Sequence, residues 1–498
     1  MAKRAGRGEP VRIHLLHTND VHSQLENFMR AGAALRRLRA EARASGEWVL
    51  TFDVGDVLDR VRPETEATRG LVNAALMDAL GYDGWVFGNN EGLTIPVAEW
   101  PRLVSRSGTI AFGTNIRAIG GDPLPFLRDW QIYDCGGVRL GVFGLTPDYR
   151  TSYQRLGVDV HAPHRAARRA VKALRAAGCD VVVLLSHLGL GADRRLAEQV
   201  QGVDVILGGH THHFMEGAEQ IGDTYIFQPG KHALVFGHTV IDYDPRIGRV
   251  RAVRGEPVPV DPHDPLDTAM LSAYRGYLPD VESELDRMVA RLPTRLPVAF
   301  DRESPFANLL VDALFDRYPC DLGIMMSGAL TASLLPGPVR VKHMLGACST
   351  PTRPVCLTLT GEDIRDLLTQ SVQPEVYHRP GFGFGFRGGV VGWLSLANAD
   401  VTLSQAPGSE RMRIEEIRVG GEPIQSGRDY RVITCEYLWL SPVFDLFRRA
   451  RDAEIQVPLA REVLLERIGD PRLQRQAFRP RWQVVPGPDS SGESEVRG

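Results

Sequence analysis

Five times within its first 213 residues the chain repeats one pattern: a mostly apolar run stops at a turn carrying residues that bind cations. The runs cover residues 11–16, 48–52, 84–87, 180–185 and 203–207. The turns after them carry Asp20 and His22, then Asp56, then Asn89, then His187, and last His210 and His212. Segments of helical periodicity, rich in Ala, Leu and Arg, fall between them at 29–45, 67–80, 163–177 and 193–200, and further apolar runs lie at 110–112 and 138–145. Unbroken apolar strands alternating with helices belong in a sheet covered on both faces. The carboxyl ends of such strands form the rim where sites are built. The pattern therefore predicts an α/β domain with seven ligand-type side chains on one rim.

Composition sets the outer bounds. A length of 498 residues predicts two or three domains. Basic and acidic residues nearly balance, 58 against 61, which gives no charge signature for a nucleic-acid polymer or a membrane surface. No stretch approaches the ~18 apolar residues of a membrane-spanning helix, and no signal-type apolar core follows the basic start. Cys135, Cys179, Cys320, Cys348, Cys356 and Cys435 are scattered without a Cys-x-x-Cys pair. The expectation is reduced thiols in a cytoplasmic protein.

The donor types narrow the chemistry. A set of His, Asp and Asn suits two divalent ions of Mn, Zn, Fe or Co better than Ca or Mg, which prefer oxygen shells. Seven ligands are too many for one small transition ion and about right for two. Two metals roughly 3.5–4 Å apart clamp the oxygens of an in-line phosphoryl displacement, and water held by them can attack near neutral pH.

Asp20-x-His22, Gly55-Asp56, Gly88-Asn89, His187 and Gly209-His210-x-His212, in this order, resemble the calcineurin-like metallophosphoesterase superfamily. His17-Thr18-Asn19-Asp20 is similar to the opening of its 5'-nucleotidase/2',3'-cyclic phosphodiesterase branch, here in a divergent bacterial-type form. The resemblance implies that Asp20, His22, Asp56 and His212 serve one metal, and that Asp56 bridges to a second completed by Asn89, His187 and His210. One departure stands out. The branch carries a His after the Asn and an Asp three residues beyond that His, whereas this chain has Asn90 and Leu93. Asn90 can donate a hydrogen bond to a phosphoryl oxygen but cannot give up a proton. His213 is the candidate substitute acid, with a solvated histidine after a turn as the competing reading.

The second half begins after a Pro- and Asp-rich break at 261–265. Residues 268–292 carry apolar positions at helical spacing and predict a linking helix ended by Pro293, within a linker of 262–293. Glu303-Ser304-Pro305-Phe306-Ala307-Asn308 with Asp312, Leu359-Thr360-Gly361, and Tyr430-Arg431-Val432-Ile433-Thr434 are similar to parts of the 5'-nucleotidase C-terminal domain, which supplies that family's base pocket. The family's Arg-ending turn is replaced by Ser327-Gly328-Ala329-Leu330. The remaining substrate-binding candidates are Phe384, Phe386 and Arg387, set among glycines from Phe382 to Gly388. Two readings fit this stretch: aromatics stacking on a base beside a phosphate-binding Arg, with the loop facing the metal cleft, or a turn whose Phe side chains fill the domain core. A Ser-, Gly- and Glu-rich end at 486–498 predicts a disordered tail.

The expected architecture is an N-terminal metallophosphoesterase α/β sandwich at 11–245 joined by a helix to a C-terminal α+β domain of 5'-nucleotidase type at 296–485. The expected activity is hydrolysis of a nucleotide by metal-bound hydroxide, with a small-molecule phosphoester as the partner and no membrane or nucleic-acid polymer. Two alternatives stay open: a phosphodiesterase, on 2',3'-cyclic nucleotides for example, and a weakly catalytic metal-bearing protein that binds a nucleotide or a partner.

Overall fold

The computed structural model describes residues 10–383, 385–405 and 411–486. It divides into two compact units, Met1–Glu282 and Ser283–Gly498.

Two six-stranded sheets build the first unit. One runs in the order Arg249–Pro259, Val235–Asp244, Val11–Thr18, Trp48–Asp53, Gly84–Val86, Ala111–Phe112. The other runs Glu219–Ile221, Thr224–Phe227, Val205–Gly208, Val181–Ser186, Val138–Leu145, Trp130–Cys135. Neighbours from Val11–Thr18 to Ala111–Phe112 are parallel, as are those from Thr224–Phe227 to Val138–Leu145. Side chains alternate along a strand, and here both sets are apolar. Val181, Val183 and Leu185 join Ile13, Leu15, Phe52 and Phe112 in a core between the sheets. Val182 and Leu184 instead meet Ala170, Leu174 and Leu196 from the helices Pro163–Ala176 and Leu190–Gln199. Leu16 likewise meets Phe28 and Leu35 of the helix Leu25–Ala44. The result is four layers, helix–sheet–sheet–helix, and it explains why these strands read as unbroken apolar runs.

Several boundaries differ from the sequence expectation. The helix expected over 67–80 is two helices, Pro63–Thr68 and Leu71–Leu80, broken where Arg69 and Gly70 turn left-handed at φ 49° and 84°. The first sheet continues past residue 245, because Arg249–Pro259 pairs along Val235–Asp244 as its edge. The helix expected over 268–292 ends earlier, at Thr268–Asp286. Met288–Leu292 is a strand paired with Gly337–Arg340, and it buries Ala290 and Leu292 with the two-residue period of a sheet.

In the second unit a five-stranded sheet has the order Leu394–Ala397, Leu322–Met326, Asp429–Cys435, Pro354–Thr360, Arg451–Ile455. A four-stranded sheet has the order Glu422–Pro423, Met412–Val419, Ala399–Gln405, Trp482–Pro486. Pro305 opens the helix Pro305–Arg317, whose residues from Phe306 to Leu314 are all buried. The motif at its start has a structural task. Glu303 accepts N–H bonds from Arg481 (3.0 Å) and Trp482 (3.3 Å), and Asp312 meets the Arg481 guanidinium at 2.5 Å. Together they fasten the last described strand to this helix. Thr360 caps the helix Gly361–Ser371 by accepting the Asp363 N–H at 3.1 Å. No helix among the described residues is long and apolar enough to cross a membrane. Of the expected tail, 487–498 lies outside the described residues.

Candidate metal centre

The rim turns are held in shape by their own polar side chains. After the strand Trp48–Asp53, the buried Asp53 accepts the Gly55 N–H at 2.9 Å and the Thr18 hydroxyl at 2.6 Å. Gly55 takes φ 91°, and a Cβ there would lie 2.7 Å from the Gly88 nitrogen. At Gly88 a Cβ would fall 2.1 Å from Asp56 Oδ1. Only paired glycines let these two turns approach so closely. Glu91, fully buried, locks them together by accepting N–H bonds from Asp56 (2.9 Å), Gly88 (2.8 Å) and Leu58 (3.1 Å). Burial, together with the Asp56 charge, pushes its carboxyl up to about 7.

Five of the seven candidate ligands sit in left-handed backbone: Asp20 (φ 49°), His22 (47°), Asp56 (54°), His210 (73°) and His212 (58°). This region costs a non-glycine residue on the order of 1–3 kcal/mol and persists only where the surroundings enforce it. Here they do. Asp20 N–H donates to Gly55 C=O and His22 N–H to Asp56 C=O, each at 2.9 Å, while the His210 N–H donates to the Asp20 carboxylate at 2.9 Å.

The side chains converge in two groups. Asp20, His22 and His212 form the first, and Asp56, His187 and His210 the second. Nε2 of His22 and Nε2 of His212 approach to 3.1 Å, and Asp20 Oδ1 lies 3.4 Å from the latter. Asp56 Oδ2 lies 3.3 Å from His187 Nε2 and 3.8 Å from His22 Nε2, so it stands between the groups. Neither Asp20 nor Asp56 pairs with lysine or arginine among the described residues.

These donors fit two divalent cations. His187 Nδ1 donates to the Val54 carbonyl at 2.7 Å, a bond that fixes the tautomer and turns the Nε2 lone pair inward. That Nε2, and the buried Asn89 Oδ1, make no hydrogen bond. Burial alone would lower the His187 imidazole, but Asp56 and Asp20 outweigh it and raise the group to about 10. Burial and neighbouring His187 lower His210 to about 4, leaving it a neutral donor.

The other expected site residues fare differently. Asn90 is at the cleft, but its side-chain amide lies 2.9 Å from His22 Nδ1, so it is occupied with orienting a ligand rather than turned to a substrate. Asp59 stands 3.7 Å from the same nitrogen. His213 is exposed, with Nδ1 on the Thr211 hydroxyl at 2.8 Å. In the second unit, Phe384 lies outside the described residues. Phe386 corrects the expectation of an open base platform. It is 7% exposed and stacks on Tyr437 with centroids 4.6 Å apart, and Gly381 and Gly388 leave room for its edge. Glycine spacing here makes space for a core ring. Among the described residues of this segment Phe382, 72% exposed, is the exposed aromatic, and Arg387 is exposed as well.

The sequence reading did not assign four residues at the centre. Glu91 directly follows Asn90, and Asp59 lies three residues past Asp56. Tyr149 reaches His210 Nε2 at 3.1 Å, and His232 packs edge-on against His22 with centroids 5.8 Å apart. The last two come from the loops after the parallel strands Val138–Leu145 and Thr224–Phe227, and both lie several residues past the strand end.

A model of the calcineurin-like phosphoesterase family matches residues 13–214, and one of the 5'-nucleotidase C-terminal domain matches 288–442. The chain belongs to the metal-dependent phosphoester hydrolases that pair these two domains, the 5'-nucleotidase type of metallophosphoesterase. It is 29% identical to the uncharacterized metallophosphoesterase YunD of Bacillus subtilis, over 90% of this chain and 96% of that one. It is 24% identical to a 5'-nucleotidase of Diplobatis ommata, over 87% and 83%. The crystal structure of a 5'-nucleotidase precursor from Thermus thermophilus shares the fold, with a TM-score of 0.56 at 22% identity over 96% of this chain and all of that one.

Proposed function

We propose that the chain hydrolyses nucleotides to nucleosides and phosphate, as a 5'-nucleotidase does. The observation that carries this reading is the pair of convergent ligand groups with Asp56 between them. Asp20, His22 and His212 would hold one divalent ion and Asn89, His187 and His210 the other, with Asp56 shared. When bound, two such ions supply Lewis-acid stabilisation of phosphoryl oxygens and a water acidic enough to react near neutral pH. The remaining work falls to the chain. The Val54 carbonyl sets the His187 tautomer, Asn90 and Asp59 orient His22, and Glu91 holds the turns bearing Asp56 and Asn89 in register. The C-terminal domain of 5'-nucleotidase type, and the named 5'-nucleotidase among the relatives, favour a nucleotide over an unrelated ester. A cytoplasmic setting belongs to the same proposal and rests on the scattered cysteines of the sequence.

A second reading, cleavage of 2',3'-cyclic nucleotides, is favoured by Asn90. With that side chain on His22, position 90 provides no acid, and a strained cyclic diester needs less help in expelling its leaving group. The test is turnover of nucleoside monophosphates, 2',3'-cyclic nucleotides, an aryl phosphate and an aryl phosphodiester by protein stripped and reloaded with Mn. Faster turnover of the monoesters supports the first reading. Faster turnover of the diesters supports the second, and no turnover of any sinks both.

A further inference from the structure

His232 lies beside the first ligand group but outside both. Its ring is edge-on to His22, with centroids 5.8 Å apart, and 6.5 Å from His212. It is half-buried, and its ring nitrogens make no hydrogen bond among the described residues. Its backbone is the second observation. His232 (φ 64°) and Ala233 (φ 50°) are consecutive non-glycine residues in left-handed conformation, which side chains with a Cβ adopt only where the surroundings enforce it. Two ties hold them there: the His232 N–H donates to the Asp20 carbonyl at 2.8 Å, and its carbonyl accepts from Asn27 Nδ2 at 3.2 Å. One tie ends on a candidate ligand, so the ring is placed in register with the first group. Filling space would not need this strain, since a relaxed apolar residue would do it. Position 90 leaves the phosphate contact to another side chain, because its amide faces His22.

We propose that His232 is a substrate-contacting residue that donates a ring N–H to a phosphoryl oxygen of an ester, or of product phosphate, held at the metal pair. The assignment rests on the phosphoesterase reading of that site. A neutral imidazole carries the one N–H required, so no proton need be transferred.

The test uses the full chain loaded with Mn and inorganic phosphate as the probe, with calorimetric affinity and elemental metal content read in parallel for wild type, His232→Ala and His232→Gln. A hydrogen bond to a charged oxygen predicts about 10- to 100-fold weaker phosphate binding in His232→Ala with metal content unchanged. His232→Gln, which keeps an N–H, should regain most of the loss. Unchanged affinity in His232→Ala overturns the assignment. So does metal loss in parallel with phosphate, which would make His232 a prop for the ligands. Wild-type protein that binds phosphate but turns over no phosphoester would remove the hydrolase reading and leave the donor assignment standing.

Discussion

Asp20 and Asp56 in the first unit follow apolar strands, and Glu303 and Asp312 in the second lie just before and within an apolar helix, so all four are carboxylates set against buried structure. The fold treats them in opposite ways. Arg481, 1% exposed, sits on Asp312, and Glu303 accepts the backbone N–H groups of Arg481 and Trp482, so each charge there meets a protein partner, although one Asp312 oxygen makes no hydrogen bond. At the rim, two buried carboxylates face histidines with no lysine or arginine among the described residues, Nε2 of His187 and the oxygen of Asn89 make no hydrogen bond, and the backbone is left-handed at five ligands. A buried ion cluster closed on itself is architecture. One left open and held under backbone strain is built around something that arrives later.

The sharpest way to break this comparison is to remove the shared ligand. Asp56→Asn should lower Mn affinity and turnover by more than about 100-fold. Elemental analysis of the loaded chain checks this, and unchanged metal content would mean that Asp56 is architecture rather than the shared ligand.

Arg481→Met probes the closed cluster. Removing one partner of a buried pair costs about 3–5 kcal/mol, here through an unpaired Asp312, while metal content should not change. Urea unfolding with metal analysis reads this, and loss of metal would contradict the separation.

The smallest effect concerns His17, a buried polar group that belongs to neither cluster. Burial pushes its imidazole down to about 3, so it is neutral in the fold. Between that value and the ordinary 6.5 the unfolded chain binds a proton that the folded chain does not. Its contribution is therefore complete above the unfolded value and is lost as pH falls below it, by about 1.4 kcal/mol per unit. His17→Phe should flatten that part of the acid slope in chelator, measured by denaturation between roughly pH 7 and roughly pH 5. Parallel slopes in both proteins would show that His17 takes up a proton in the fold.

The strands that carry the rim residues were legible because two-sided burial leaves an unmistakable trace: both faces of Val181–Ser186 must be apolar. The ligand types were legible because few side chains bind divalent ions. The helix over 268–292 was misread because Met288–Leu292 is short and follows a helical stretch, so its two-residue period has too few positions to show. Phe386 was ambiguous for a related reason. Glycine spacing marks close approach, and whether a ligand or a neighbouring ring makes that approach is decided by what stands opposite, here Tyr437.

Sequence by itself thus determined the α/β class of the first domain, the set of candidate ligands and the kinship of both domains, since each follows from local periodicity or residue chemistry. Tertiary structure alone decided that Asn90 faces His22, that Glu91 binds two turns together, and that His232 joins the rim. These depend on backbone angles and on contacts between segments far apart in the chain, where a displacement of one or two ångströms changes the partner.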